Sequence, residues 1–131
     1  MRYNKHIMTQ KTILIVEDFE DLADSLVDLL NLKNYRTLKA LNGTDGLELA
    51  FSEHPDLILL DIRLPDIDGQ KILEKIREDD WGKNARILIL TASDIIEKNL
   101  LDLKITPTDI IYKSHCSIED ITTKIHQTLT I

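Results

Sequence analysis

Residues 57–69 read LILLDIRLPDIDG, four apolar residues and an aspartate running into a loop punctuated by Pro65 and Gly69. An unbroken apolar run flanked by turn residues fits a strand covered on both faces, the habit of parallel sheets packed between helices. In open α/β sheets ligands collect beyond the carboxyl ends of the strands, and Asp61 stands where this strand runs out. An aspartate before a proline-containing loop is also ordinary turn chemistry. Its company in the fold decides between the two readings.

Outward from this stretch, strands and helices alternate. Apolar runs predict strands at 12–16 (TILIV), 35–40, 57–60, 86–90 (RILIL) and 109–112. Leu22, Leu26, Leu29 and Leu30 stripe a helix over 20–32, with Asp21, Asp24 and Asp28 on its wetter side. Asn42 and Gly43 open a second helix carrying Leu47, Ala50 and Phe51, which Pro55 stops. Asp68 is placed to cap a third, bearing Ile72, Leu73 and Ile76, with Trp81 and Gly82 marking its end. A fourth helix is expected over 94–103, and Ile118, Ile121, Ile125 and Leu129 stripe a closing one. Five strand-helix units with right-handed crossovers predict an α/β fold, a doubly wound five-stranded parallel sheet in the order 2-1-3-4-5 with five helices.

A chain of 131 residues has room for one domain with a core and none for a second, DNA-binding one. Residues 1–10 are expected to be a loose lead-in and 11–131 the domain. A formal net charge of −7 argues against direct nucleic-acid binding and for proteins or cations as partners. No apolar run is long enough to span a bilayer and no secretory signal is visible, so no membrane insertion and a cytoplasmic location are expected. The single Cys116 excludes an internal disulfide.

If the first, third, fourth and fifth strands lie side by side, their carboxyl ends bring Glu17, Asp18, Asp61, Thr91 and Lys113 to one rim. Clustered carboxylates repel unless a cation joins them, and an all-oxygen acidic site suits Mg²⁺. A divalent ion there can hold a phosphoryl group against a carboxylate, making Asp61 a nucleophile that becomes an aspartyl phosphate. Lys113 supplies a positive charge for the phosphoryl oxygens and Thr91 a hydrogen bond. Taken singly, the two acids fit a helix N-terminus, Thr91 a strand and Lys113 a solvated surface. Jointly, four strand ends finish in residues suited to one chemistry.

These motifs resemble a response-regulator receiver domain, the phosphoacceptor half of two-component signalling, in its stand-alone, chemotaxis-regulator-like form with a flavodoxin-like fold. The resemblance rests on the acid pair Glu17-Asp18, on LLDIRLPDIDG, on LTA at 90–92 and on Lys113. It also rests on the separations, 43 residues from Asp18 to Asp61, 30 to Thr91 and 22 more to Lys113. It implies that Asp61 accepts a phosphoryl group from a histidine kinase or a histidine phosphotransfer protein. It implies Mg²⁺ held by the carboxylates of Asp18 and Asp61, by Glu17 through water and by the backbone carbonyl of Arg63, with Lys113 on the phosphoryl group. Thr91 would move inward on phosphorylation and remodel the surface of the 94–103 helix, the last strand and the last helix, which would switch a target protein or relay the phosphoryl group. The only catalysis implied is of the domain's own phosphorylation and dephosphorylation. Phosphorylation-dependent homodimerisation and the identity of the target stay open.

Three positions depart from the family pattern. Ser114 stands where a proline usually follows the lysine, which predicts a trans bond or a strained loop. Ile110 stands where the family has an aromatic switch residue, with Tyr112 on the same strand face. Residues 105–108 (ITPT) replace the usual small residues. Arg63 and Ser93 occupy positions that in the family influence dephosphorylation, and Ile95, Ile96, Leu100, Leu101 and Leu103 offer a partner face if exposed. His6, His54, His115 and His126 with Cys116 lack the spacing of zinc ligands. The departures support an alternative, a constitutive interaction module whose switch has decayed. A flavin or nucleotide binder would want a glycine-rich loop where Glu17-Asp18-Phe19 stands, and an aspartyl-phosphate phosphatase a second acid where Arg63 stands.

Overall fold

Each strand is a short apolar run, and the alternation of side chains along it divides the run between two cores. A computed structural model of the chain describes residues 10–92 and 98–130. Strands β1 (Thr12–Val16), β2 (Arg36–Ala40), β3 (Leu57–Asp61), β4 (Ile87–Thr91) and β5 (Ile110–Tyr112) form one sheet in the order β2-β1-β3-β4-β5. Every pairing is parallel, with Leu14 level with Ile58, Leu59 with Leu88 and Leu90 with Ile111. Helices α1 (Glu20–Leu32), α2 (Gly43–Glu53), α3 (Gly69–Glu78) and α4 (Ile118–Leu129) cover it.

On one face Ile13, Ile15, Leu57, Leu59, Leu88 and Leu90 meet Ala23, Leu26 and Leu30 of α1 and Ile121 and Ile125 of α4. On the other, Leu14, Val16, Ile58, Leu60, Ile87 and Ile89 meet Ala50 of α2 and Ile72, Leu73 and Ile76 of α3. Each fully buried Leu or Ile contributes roughly 1.5–3 kcal/mol, so the central strands and the acids at their ends ride on a rigid frame. Helix starts are fixed locally. Asn42 accepts the Asp45 N–H at 2.8 Å, Asp68 accepts the Gln70 N–H at 3.0 Å, and Ser117 and Asp120 form a reciprocal capping box. α1 has no side-chain cap and relies on Glu20 and Asp21 in its first turn, where the helix dipole favours acids.

The expected fifth helix is corrected. Residues 93–97, with Ser93, Ile95 and Ile96, lie outside the described residues, as do residues 1–9 of the lead-in. Lys98–Leu103 is a 3-10 helix, so the described residues hold four α-helices. Leu100 is buried and Leu103 partly so, while Leu101 is 65% exposed. In a helix of three residues per turn residues 100 and 103 lie on one side, above each other, and the turn closes with the N–H of Lys104 on the carbonyl three residues back. Lys104 then takes a left-handed conformation (φ 64°), its N–H donating to Leu101 O and that of Ile105 to Leu100 O. The exposed partner face expected over 95–103 is therefore reduced, among the described residues, to Leu101.

Candidate acidic site at the strand ends

β1 ends at Val16, and the next two residues are Glu17, completely buried, and the exposed Asp18. β3 ends in Asp61, 3% exposed, and β4 in the buried Thr91. Lys113 follows β5 in a 3-10 turn over Lys113–His115. Because neighbouring strands run parallel, these ends meet at one rim. Lys113 Nζ donates to Asp61 Oδ2 at 3.1 Å and lies 2.7 Å from Glu17 Oε1. The other oxygens are held by the main chain, Asp61 Oδ1 by the Arg63 N–H at 2.9 Å and Glu17 Oε2 by the Phe19 N–H at 3.0 Å.

The cluster is electrostatically unbalanced. Burial pushes the Glu17 carboxyl up to about 7, against the pull of Lys113 and the Phe19 N–H. Burial pulls the Lys113 ammonium down, but Glu17 and Asp61 outweigh it and hold the ammonium above its ordinary value. Glu17, Asp18 and Asp61 each offer a carboxylate oxygen within 4.8 Å of the others. Glu17 Oε1 is buried and, despite its closeness to Lys113, is aligned for no hydrogen bond. A buried carboxylate oxygen whose one close partner is the Lys113 ammonium, in an all-carboxylate set, fits a hard divalent cation, with Asp18 at the open side.

The loop after Asp61 is clamped from outside. Asp66 accepts the N–H of Gly43 at 2.7 Å, the N–H of Thr44 at 2.9 Å and the Thr44 hydroxyl at 2.7 Å. These bonds hold its carboxyl well below the usual carboxylate range and tie the loop to the start of α2. Sequence reading missed this contact, because the partners lie more than twenty residues upstream. The available signal was a helix opening at 42–43 with bare N–H groups and an acid in a loop without an apolar face.

Thr91 sits in register with Tyr112, one position past the Asp61–Leu90 pair. Ile110 is partly buried and packs against the core cluster of the second face, and Tyr112 leans on His115 at a ring distance of 5.9 Å. The described peptide bonds are all trans, so the bond before Ser114 takes the first of its two expected forms. The histidines disperse: His54 stacks on Trp81 and His126 accepts from or donates to the Tyr35 hydroxyl at 2.6 Å. The acidic trio is the one group of metal-capable side chains among the described residues.

Residues 13–126 match the response regulator receiver domain family. The chain belongs to that family. The receiver domain is 38% identical over 85 residues to the sporulation initiation phosphotransferase F of Bacillus subtilis, an alignment covering 65% of this chain and 67% of that protein. It is 35% identical over 82 residues to the polar-differentiation response regulator DivK of Brucella anthropi, covering 63% and 67%. Among solved structures, the non-phosphorylated HemR receiver domain of Leptospira biflexa superposes with a TM-score of 0.81 at 26% identity, covering 93% of this chain and 96% of that one. A CheY-like receiver domain protein of Methanospirillum hungatei gives 0.78 at 27%, covering 92% and 94%. The receiver domain is thus a signalling module of two-component systems, with an acidic site compatible with magnesium and phosphorylation. No helix among its described residues is long and apolar enough to cross a membrane.

Proposed function

We propose that this receiver domain, spanning residues 11–131, is a phosphoacceptor switch in which Asp61 takes a phosphoryl group from a phosphohistidine. The observation that carries the reading is the bridge from Lys113 Nζ to Asp61 Oδ2 at 3.1 Å and to Glu17 Oε1 at 2.7 Å. One Asp61 oxygen attacks phosphorus in line with the leaving imidazole, whose nitrogen keeps the electrons of the broken P–N bond. Lys113, already against that carboxylate, follows the charge onto the phosphoryl oxygens, and Thr91 supplies a hydroxyl from the neighbouring strand end. Glu17, Asp18, Asp61 and the Arg63 carbonyl would hold Mg²⁺, which supplies neutralisation of the equatorial oxygens when bound.

The donor is a histidine kinase or a histidine phosphotransfer protein in the cytoplasm. The name phosphotransferase carried by the Bacillus subtilis relative supports a relay role. Output runs through the surface of Lys98–Leu103, β5 and α4, where an inward move of Thr91 would be felt first by Tyr112 beside it. The packing of the partly buried Ile110 against the core favours a second reading, a constitutive interaction module without an aromatic switch.

Intact mass after incubation with acetyl phosphate, with and without Mg²⁺, decides between them. The phosphoacceptor reading expects one phosphoryl adduct that requires magnesium and is absent from Asp61→Asn. A folded protein with no adduct under any condition would overturn it in favour of the constitutive module.

A further inference from the structure

At the opposite end of the sheet the charge reverses. In a chain with 23 acidic and 16 basic residues, a cleft of about 420 Å³ gathers Arg77, Arg86, Lys104 and Lys124. It lies between the end of α3, the amino ends of β4 and β5, and α4. None of the four cations forms an ion pair with a carboxylate among the described residues. The one acid in the cleft, Asp109, accepts the N–H and hydroxyl of Thr106 at 2.9 and 3.0 Å and attracts Arg77 electrostatically, so four cations against one carboxylate leave an excess of three positive charges.

Three of the cations are instead held by neutral oxygens. Arg77 donates through Nε to Leu103 O at 2.8 Å and through Nη1 to Gly82 O at 2.8 Å and Ala85 O at 2.7 Å. Lys104, in its left-handed conformation, places Nζ on Lys83 O at 2.9 Å and Asn84 Oδ1 at 3.0 Å. Arg86 Nη1 donates to Thr128 O. Carbonyls orient a cation without cancelling its charge, so the cleft is a preorganised concentration of positive potential in an acidic protein.

We propose that this cleft binds a small molecule carrying two or more phosphate groups. Its volume falls within the roughly 300–1,000 Å³ of small-molecule sites. Guanidinium forks match phosphate oxygens in pairs, and a single phosphate, with at most two negative charges, would leave part of the excess of four cations over one carboxylate uncompensated. The lining holds no aromatic ring on which a base could stack, so recognition is of the phosphates. Arg86 immediately precedes β4, and Thr91 ends it, so a five-residue strand of about 3.3 Å per residue separates the cleft from the acidic rim. Binding there leaves Asp61 accessible, and the inference is independent of the phosphoacceptor reading.

The test is isothermal titration of the full chain with pyrophosphate in magnesium-free buffer, with inorganic phosphate and a short single-stranded oligonucleotide as comparison probes. The tested variant is Arg86→Gln with Lys124→Gln, which leaves the three carbonyl contacts of Arg77 intact. Lys33→Gln with Lys71→Gln makes the same change of net charge away from the cleft. The expected result is one saturable pyrophosphate site, weakened about tenfold or more in the cleft variant and unchanged in the control. Circular dichroism confirms that both variants fold. No saturable binding, equal loss in both variants, inorganic phosphate as tight as pyrophosphate, or tighter oligonucleotide binding would each overturn the proposal.

Discussion

Glu17 carries an internal conflict: it is completely buried, yet its ionised form is what a cation or Lys113 requires. Its carboxyl titrates near 7 in the fold against an ordinary value of 4.5. A carboxyl with a raised folded value binds a proton more tightly in the native state, so its contribution is complete below about 4.5 and lost as pH rises through about 7. At 1.36 kcal/mol per unit, metal-free protein should lose about 3 kcal/mol of unfolding free energy across that window. Glu17→Gln should remove this part of the slope, as urea titrations at several pH values would show. Asp66 has the opposite sign. Its lowered value means a contribution present at neutral pH and lost on acidification, as the carboxylate protonates and releases Gly43 and Thr44. Asp66→Ala should lower the thermal midpoint at pH 7, with the gap to the wild type closing in strong acid. A gap independent of pH would show that the carboxylate is not what holds the loop.

At the scale of elements, the loop that follows Asp61 depends on Gly69, the first residue of α3. A Cβ there would stand 2.5 Å from Ile62 Cα and 2.8 Å from Asp61 O, both backbone atoms that cannot swing aside. Gly69→Ala should therefore cost about 1–3 kcal/mol by displacing the strand end that carries Asp61, read by denaturant unfolding. The loss should appear with phosphorylation slowed rather than abolished, since no chemical group is removed. The strands were legible because each is an apolar run stopped by a polar residue. For the same reason Glu17, Asp18, Asp61, Thr91 and Lys113 could be placed on one rim: each ends or follows such a run. The segment Lys98–Leu103 was not legible as 3-10, since apolar residues at 100 and 103 satisfy either helical period and the difference lies in main-chain hydrogen bonding that no side-chain pattern reports. The basic cleft was hidden too, because Arg77, Arg86, Lys104 and Lys124 come from separate elements and read singly as solvated charges.

For the whole molecule, the acidic site is a joint between β1 and β3, two of the three interior strands on which both cores are built. Three carboxylates from two strand ends exist as a trio only in the folded chain, so a divalent ion bound there stabilises the native state by mass action. At a free magnesium concentration a hundredfold above its dissociation constant, the gain in unfolding free energy is about 2.7 kcal/mol. Asp18 is the informative position, being exposed and outside the Lys113 bridge. Asp18→Asn should change metal-free stability by no more than about 0.5 kcal/mol, as surface substitutions do, while losing most of the magnesium gain. Urea titrations of both proteins with magnesium chloride, against potassium chloride at matched ionic strength, separate ligation from screening. Equal stabilisation of wild type and variant would mean that magnesium acts as a diffuse counterion to a chain of net charge −7. A gain confined to the wild type would mean that the ion is ligated at the rim through Asp18 and relieves the repulsion among the three carboxylates gathered there.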